Sequence, residues 1–438
     1  MELKTFVGGL HPPDSKSRSA QKPIEQCPLP ELLVIPASQH IGAPAEICVA
    51  VGDQVKKGQV IATAKGFVSV PIHASTSGEV VAVEPRPHPM GRNLPAVVIK
   101  PDGLDQWDDS LQGNNPDELD VDTLKKMICQ AGIVGLGGAT FPAHVKLSPP
   151  EGKTIDTLIL NGVECEPYLT ADHRLMLEEC DQIIDGINIL RKVLGISRAV
   201  IGIEANKPDA IAKMTAECAP HNIEVQALKV QYPQGAEKQL IDACTGRQVP
   251  SGGLPMDCGV VVQNVGTAAA ISTAIRLGRP LVERIATVTG SAVAQPKNLR
   301  IAIGTPLQHL VDQCGGLTGT PGKIIMGGPM MGQAQLSLGV PAIRGTSGLL
   351  ILREEEVSAK AAGPCIRCGR CVSVCPIHLQ PTTIAAYARL SMFDETETCH
   401  ALDCIECGCC TYICPATLPL VQSIRFAKGA IMEKKRKS

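Results

Sequence analysis

The chain has 438 residues, with 41 lysines and arginines against 43 aspartates and glutamates, a net charge of −2 and only 2% aromatic side chains. That balance supplies no basic field for a nucleic-acid backbone and few rings on which bases stack, so no nucleic acid is expected as a partner. The length exceeds what one core supports, so about three domains or more are expected, and no apolar run approaches the roughly 20 residues needed to cross a bilayer.

Residues 1–30 are rich in Pro, Ser and Lys, show little periodicity and read as an extended N-terminal arm. Residues 31–102 alternate short apolar stretches such as Glu46-Ile47-Cys48-Val49 and Val60-Ile61-Ala62 with turns at Gly52-Asp53, Gly58 and Ser77-Gly78. This predicts a small all-β unit. An Asp-, Asn- and Pro-rich linker then leads to a helix over 121–130 with Leu124, Met127 and Ile128 on one face.

Within 121–283, apolar strands near 155–160, 198–204, 223–230 and 259–263 alternate with helical patterns near 174–194, 208–217, 235–245 and 266–278. That alternation predicts a parallel α/β sheet covered by helices, and ligands of such sheets gather at the carboxyl ends of the strands. Residues 284–335, from Thr287-Val288-Thr289-Gly290 to Gly327-Gly328-Pro329, read as a small β-grasp domain. The last part, 356–438, is expected to be helical, with Ile384, Tyr387 and Leu390 on one face and Val421, Ile424 and Ala427 on another. Lys434-Lys435-Arg436-Lys437 reads as a solvated helix end.

That helical part carries Cys365, Cys368, Cys371 and Cys375-Pro376, then Cys404, Cys407, Cys410 and Cys414-Pro415, two complete C-x2-C-x2-C-x3-C-P runs. Each run supplies three thiolates to one [4Fe-4S] cube while its fourth, next to Pro, serves the other cube. Crossed ligation is therefore expected: Cys365, Cys368, Cys371 and Cys414 on one cluster, and Cys404, Cys407, Cys410 and Cys375 on the other. Structural zinc sites gather their ligands as spaced pairs instead. Cys409, inside the second run, is expected to be a free thiol. No stretch combines a basic start, a long apolar run and a small-residue cleavage site, so the nineteen cysteines are expected in a reducing cytosol.

A second chemical site is expected at Gly135-Leu136-Gly137-Gly138 with Phe141 and Lys146. A helix precedes it, so it is not a dinucleotide fingerprint. Glycines at this density let backbone N–H groups approach an anion or a flat ring, and Lys146 adds a point charge suited to phosphate. The strand ends add Asn161, Glu164, Cys165 and Glu166, then Tyr232, Gly235 and Glu237, then Asn264 and Thr267. Polar groups thus recur at one sheet edge.

These residues resemble the NADH-oxidising flavoprotein subunit of respiratory complex I over roughly 125–335. By motif, the resemblance implies FMN-binding roles for Gly135, Gly137, Gly138, Phe141, Lys146, Asn161, Glu164, Glu166, Tyr232, Gly235, Glu237, Asn264 and Thr267. It departs from that pattern where Leu136 replaces an Arg and Val163 an acid, and where a second aromatic after Lys146 has no counterpart. The segment Gly52 to Gln59, with Ser77 to Val80, resembles a biotinyl/lipoyl barrel-sandwich; Lys65 stands too early for a modified hairpin lysine, so a structural role is expected. Taken whole, with Gly8-Gly9-Leu10-His11-Pro12-Pro13, Gly327-Gly328-Pro329-Met330-Met331-Gly332 and the paired cysteine runs, the chain is similar to the RnfC family of the Rnf electron transport complex.

The resemblance implies a peripheral subunit on the cytoplasmic side of the cell membrane. Such a subunit exchanges electrons with NAD(H) through non-covalent FMN and two [4Fe-4S] clusters, within a redox-driven Na+ or H+ translocase whose other subunits include a ferredoxin-like one. Glu164 and Glu166 would hydrogen-bond ribose or ring edges and Lys146 would balance the flavin phosphate. The rival expectation is a non-catalytic double-cluster wire on a docking scaffold.

Overall fold

The computed structural model describes residues 3–357 and 360–437. The β unit is two facing sheets. One has the order Leu33–Pro36, Arg92–Pro101, Gly78–His88, Gln54–Val55, and the other Glu46–Ile47, Val60–Thr63, Ile72–His73. Leu33, Ile35, Val55, Ile61, Ile72, Val80, Val97 and Ile99 fill the space between them. They lie inward because alternate residues of a strand face the same side.

The α/β unit is a four-stranded parallel sheet in the order Glu224–Leu228, Arg198–Glu204, Thr157–Asn161, Val260–Asn264. Register aligns Asn161 with Asn264 on one side and with Gly202 on the other, so both asparagines emerge together at the carboxyl edge. Helices Ala171–Glu178, Cys180–Leu194 and Val265–Leu277 cover one face, and Pro208–Cys218 and Glu237–Thr245 complete the alternation. The helix expected near 174–194 is thus two, broken at Glu179.

Gly186 lets helix 180–194 close on helix 265–277, since a Cβ there would run into the Ala268 carbonyl oxygen. Gly186→Ala is expected to lower stability by about 1–3 kcal/mol, the usual cost of overpacking, read as a fall in the thermal midpoint.

The β-grasp sheet has six strands in the order Ile24–Gln26, Lys297–Ala302, Glu283–Thr289, Gly348–Arg353, Pro321–Met326, Gln333–Gln335. It extends past the boundary at 335 read from the sequence: strand 348–353 sits inside the sheet, parallel to 283–289 and antiparallel to 321–326. The arm contributes an edge strand.

In the C-terminal unit, helix Pro381–Arg389 packs on helix Leu420–Lys437 through Ile384, Ala385 and Ala388 against Val421, Ile424 and Ala427. The expected role of Leu390 is corrected: the helix ends at Arg389, and Leu390 turns outward and is 70% exposed.

The arm runs across all of these parts. Lys4 and Leu10 bridge to Leu228 and Tyr232, the Gly9 N–H donates to the Val374 carbonyl at 2.9 Å, and Arg18 reaches the carbonyls of Gly290 and Val293.

Candidate functional site

The glycine loop leaves helix Val121–Gln130 and is pinched at its base by the Gly135 N–H on the Phe141 carbonyl, 2.9 Å. Thr267, in the first turn of helix 265–277, accepts the Leu136 N–H at 3.0 Å and so lays the loop over the sheet edge. Gly137 rests on Asn264, where a Cβ would come within 2.7 Å of Nδ2, while Gly138 faces open space. A side chain at 137 would lift the loop away, so it is the close contact with Asn264 that calls for glycine here.

The two asparagines act as braces. Asn161 donates to the Gly235 carbonyl at 2.8 Å and accepts the Val163 N–H at 3.1 Å. Asn264 caps helix 265–277 through the Gly266 N–H at 2.8 Å and donates to Asp172 at 2.7 Å. Lys146, on the one-turn helix Ala143–Lys146, pairs with Glu237 at 2.5 Å and donates to the Val262 carbonyl.

Glu164 and Glu166, expected to hydrogen-bond a ligand, both hold backbone N–H groups of other elements in this structure. Glu164 accepts the N–H groups of Asp172 and His173 at 2.8 and 3.2 Å, capping helix 171–178 from eight residues upstream. A carboxylate is favoured at that positive helix end. Its backbone has φ of +46°, a conformation side chains rarely take and one that clusters at functional loops. Glu166 accepts the N–H groups of Met330 and Met331 at 3.0 and 2.7 Å, fastening the Gly327-to-Gly332 turn of the β-grasp unit to the loop. Burial raises the pKa of its carboxyl.

Sequence reasoning missed what holds this loop from below. Lys16 of the arm is buried, and its ammonium donates to the carbonyls of Glu164, Glu166 and Leu169 at 2.9, 2.9 and 2.5 Å. Lys207 donates to the Val163 carbonyl at 2.7 Å. No local pattern marks Lys16, because its partners lie about 150 residues away.

Tyr232 joins this site to the cysteines. Its ring is buried beside Leu10, Cys407 and Cys409, and its hydroxyl donates to the Cys407 carbonyl at 2.8 Å. Cys375, Cys404, Cys407 and Cys410 line one cavity with Ile405, Val421 and Ile424. Burial pushes the thiols of Cys404 and Cys410 up to about 11 and about 12.

Cys371 and Cys414 lie in another apolar cluster, with Leu418 and Leu420. There the Gly363 N–H donates to the Ala416 carbonyl, while Cys365 and Cys368 are exposed. Among the described residues no three His, Cys, Asp or Glu converge as for one metal ion. A cubane needs a different arrangement, four thiolates spread over its corners, and here Cys375 of the first run lies at the same cavity as Cys404, Cys407 and Cys410 of the second. Cys409 lines the same cavity as Cys375, Cys404, Cys407 and Cys410 and is buried, its thiol 4.0 Å from the Tyr232 carbonyl. Tyr232→Phe strands the Cys407 carbonyl and is expected to cost about 1 kcal/mol, read by thermal unfolding with iron content unchanged.

Comparison with known proteins agrees with this architecture. Residues 4–104 match the "RnfC Barrel sandwich hybrid domain", 128–273 the "Nuo51 FMN-binding domain" and 285–334 the "SLBB domain". The fold is therefore that of a multidomain protein that includes an FMN-binding domain of the Nuo51 type.

Three relatives match over nearly the whole length. The chain is 52% identical to the C subunit of the Na(+)-translocating ferredoxin:NAD(+) oxidoreductase complex of Acetobacterium woodii, covering 99% of this chain and 98% of that protein. It is 51% identical to the C subunit of the proton-translocating ferredoxin:NAD(+) oxidoreductase complex of Clostridium ljungdahlii, covering 97% and 94%. It is 44% identical to the C subunit of the ion-translocating oxidoreductase complex of Rhodobacter capsulatus, covering 98% and 83%. The chain belongs to the family of C subunits of ion-translocating ferredoxin:NAD(+) oxidoreductase complexes. Among the described residues no helix is long and apolar enough to cross a membrane.

Proposed function

We propose that this chain is the NAD-side electron-transfer subunit of such a complex, binding FMN at the glycine loop, taking electrons from NADH and relaying them through two [4Fe-4S] clusters. The observation that carries the reading is the hydrogen bond from Tyr232 to the Cys407 carbonyl, which joins the α/β unit that holds the glycine loop to the cysteine cavity. The residues fit both groups: Gly138 opens onto space, Lys146 is a part-exposed lysine at the sheet edge, and Cys375, Cys404, Cys407 and Cys410 from two runs line one cavity. Bound FMN supplies the conversion of a two-electron hydride into single electrons.

The chain's own residues hold and insulate. Gly135, Gly137, Gly138 and Phe141 form the cover; Asn161, Gly235, Asn264 and Thr267 fix the edge on which a flat ring would rest. Lys146 and Glu237, both part-exposed, offer one charge of each sign to phosphate and ribose. Glu164 and Glu166 act by positioning the loop they belong to. Cys404, Cys407, Cys410 and Cys375 hold the cluster beside Tyr232, and Cys365, Cys368, Cys371 and Cys414 the one nearer the surface, from which electrons pass to or from a ferredoxin-like partner subunit. Membrane association on the cytoplasmic side then comes through partner subunits.

Anaerobic titration of the full chain with NADH tests the reading. A flavin band is expected to bleach before the broad cluster absorption, and protein holding iron but no flavin and ignoring NADH overturns it. Lys146→Ala is expected to slow NADH-driven cluster reduction about a hundredfold, the scale of lost positioning, with both clusters retained. A wire that never meets NADH would show no change.

A further inference from the structure

A cavity of about 320 Å³ lies between helices 171–178 and 180–194, helix 265–277 and the stretch 279–285. Its outer rim carries the exposed side chains of Gln182, Leu277 and Arg279. Its inner end is walled by Leu136, Asp172 and Gly266, the rear of the glycine-loop site. The cavity therefore runs from solvent to the back of that site.

Asp172 stands at the junction. Its carboxylate accepts the Asn264 amide at 2.7 Å, and its own N–H donates to Glu164. Other carboxylates along the cavity are matched, Glu179 by Arg300 and Glu283 by Lys57. Asp172 forms no ion pair among the described residues, although it is half-buried, with part of its surface open to the cavity.

The groups facing it are Glu164 from the loop after strand 157–161, Arg284 from strand 283–289, Lys207 before helix 208–218, and Asn264. Burial, then the charge of Glu164, pushes its carboxyl up to about 7, against the opposing pull of Asn264, Arg284 and Lys207. On its own helix, His173 is engaged by Asp209.

Oxidation of NADH to NAD+ yields two electrons and one proton, and iron-sulfur clusters carry away only electrons. The proton needs a base near the site and a way out. We propose that Asp172 exchanges the redox proton of the candidate flavin site with solvent through this cavity. As the site is oxidised, the bond that would hold the redox proton on the bound flavin breaks and an O–H bond forms on the Asp172 carboxylate; that O–H bond breaks in turn when the proton passes to water in the cavity as hydronium. In the reverse direction Asp172 delivers the proton. A carboxyl serves best when its pKa lies near the working pH.

The inference rests on the flavin reading above, and its test separates the two. Full-length protein carrying flavin and both clusters is pulsed with NADH in the presence of an electron acceptor, and proton release is followed with a pH indicator. Asp172→Asn is expected to slow release at least tenfold and to remove a carboxyl band from the redox-induced infrared difference spectrum, with flavin content and cluster signals unchanged. Asp172→Glu is expected to restore release and shift the band.

Thr273→Phe, which fills the cavity without touching the carboxylate, is expected to slow release while leaving the band in place, and keeps the test open if Asp172→Asn fails to fold. Release at the wild-type rate in Thr273→Phe, together with an unchanged band in Asp172→Asn, overturns the proposal alone. Wild-type protein without flavin overturns the underlying reading and this proposal with it.

Discussion

Replacing Cys365 and Cys375 together by Ser is expected to abolish both clusters, although both cysteines lie in the first run. The outcome follows from the crossed ligation proposed above: Cys375 lines the cavity of Cys404, Cys407 and Cys410, whereas Cys365 belongs to the run whose Cys371 shares an apolar cluster with Cys414. Each substitution therefore removes a ligand from a different cube, and iron falls from about eight atoms per chain to near none. Cys365→Ser with Cys414→Ser strikes one cube only and is expected to leave about four irons. If each run held its own cluster the two results would exchange. Iron analysis of anaerobically purified protein, paired with low-temperature EPR of the reduced state, reads the difference.

The second large effect is at Lys16. Its ammonium satisfies three carbonyls of the Glu164-to-Leu169 loop inside the protein, with Lys207 holding the same loop one residue earlier. Lys16→Met keeps the length of the side chain but leaves those acceptors without a donor, so a loss of about 3–5 kcal/mol is expected, the scale for breaking a buried charged contact. The loop carries Glu164 and Glu166, which fix helix 171–178 and the Met330-Met331 turn, so flavin retention is expected to fall before cluster content does. Flavin-to-iron ratio on one sample, with thermal unfolding beside it, measures both. A variant keeping wild-type flavin and midpoint shows that the three bonds are dispensable.

What could be read in the sequence was what local rules encode. Runs such as Val260-Val261-Val262 announce buried parallel strands, and the strand ends then locate Asn161 and Asn264, which register brings side by side. Cysteine spacing raises the expectation of crossed ligation because a three-residue step and a proline fix where each thiol points, and Cys375 does line the cavity of Cys404, Cys407 and Cys410. The parts that escaped depend on distant partners. Lys16 is an ordinary residue in a Pro- and Ser-rich arm until the fold brings the loop after strand 157–161 over it. Strand 348–353 follows a stretch of turns, and only its pairing with strands 283–289 and 321–326 makes it central. Glu164 and Glu166 were recognisable as site residues, but their carboxylates answer to backbone N–H groups from other elements, which no motif displays.

The position of the arm bears on how the molecule is made. Gly8 lies against the backbone of Cys375 and Pro376, so tightly that a Cβ would sit 3.0 Å from the Cys375 oxygen, and Gly9 bonds to Val374. A segment synthesised early thus waits for a docking surface synthesised late. The two ends of the chain therefore close on each other only after residues 374–376 have been made.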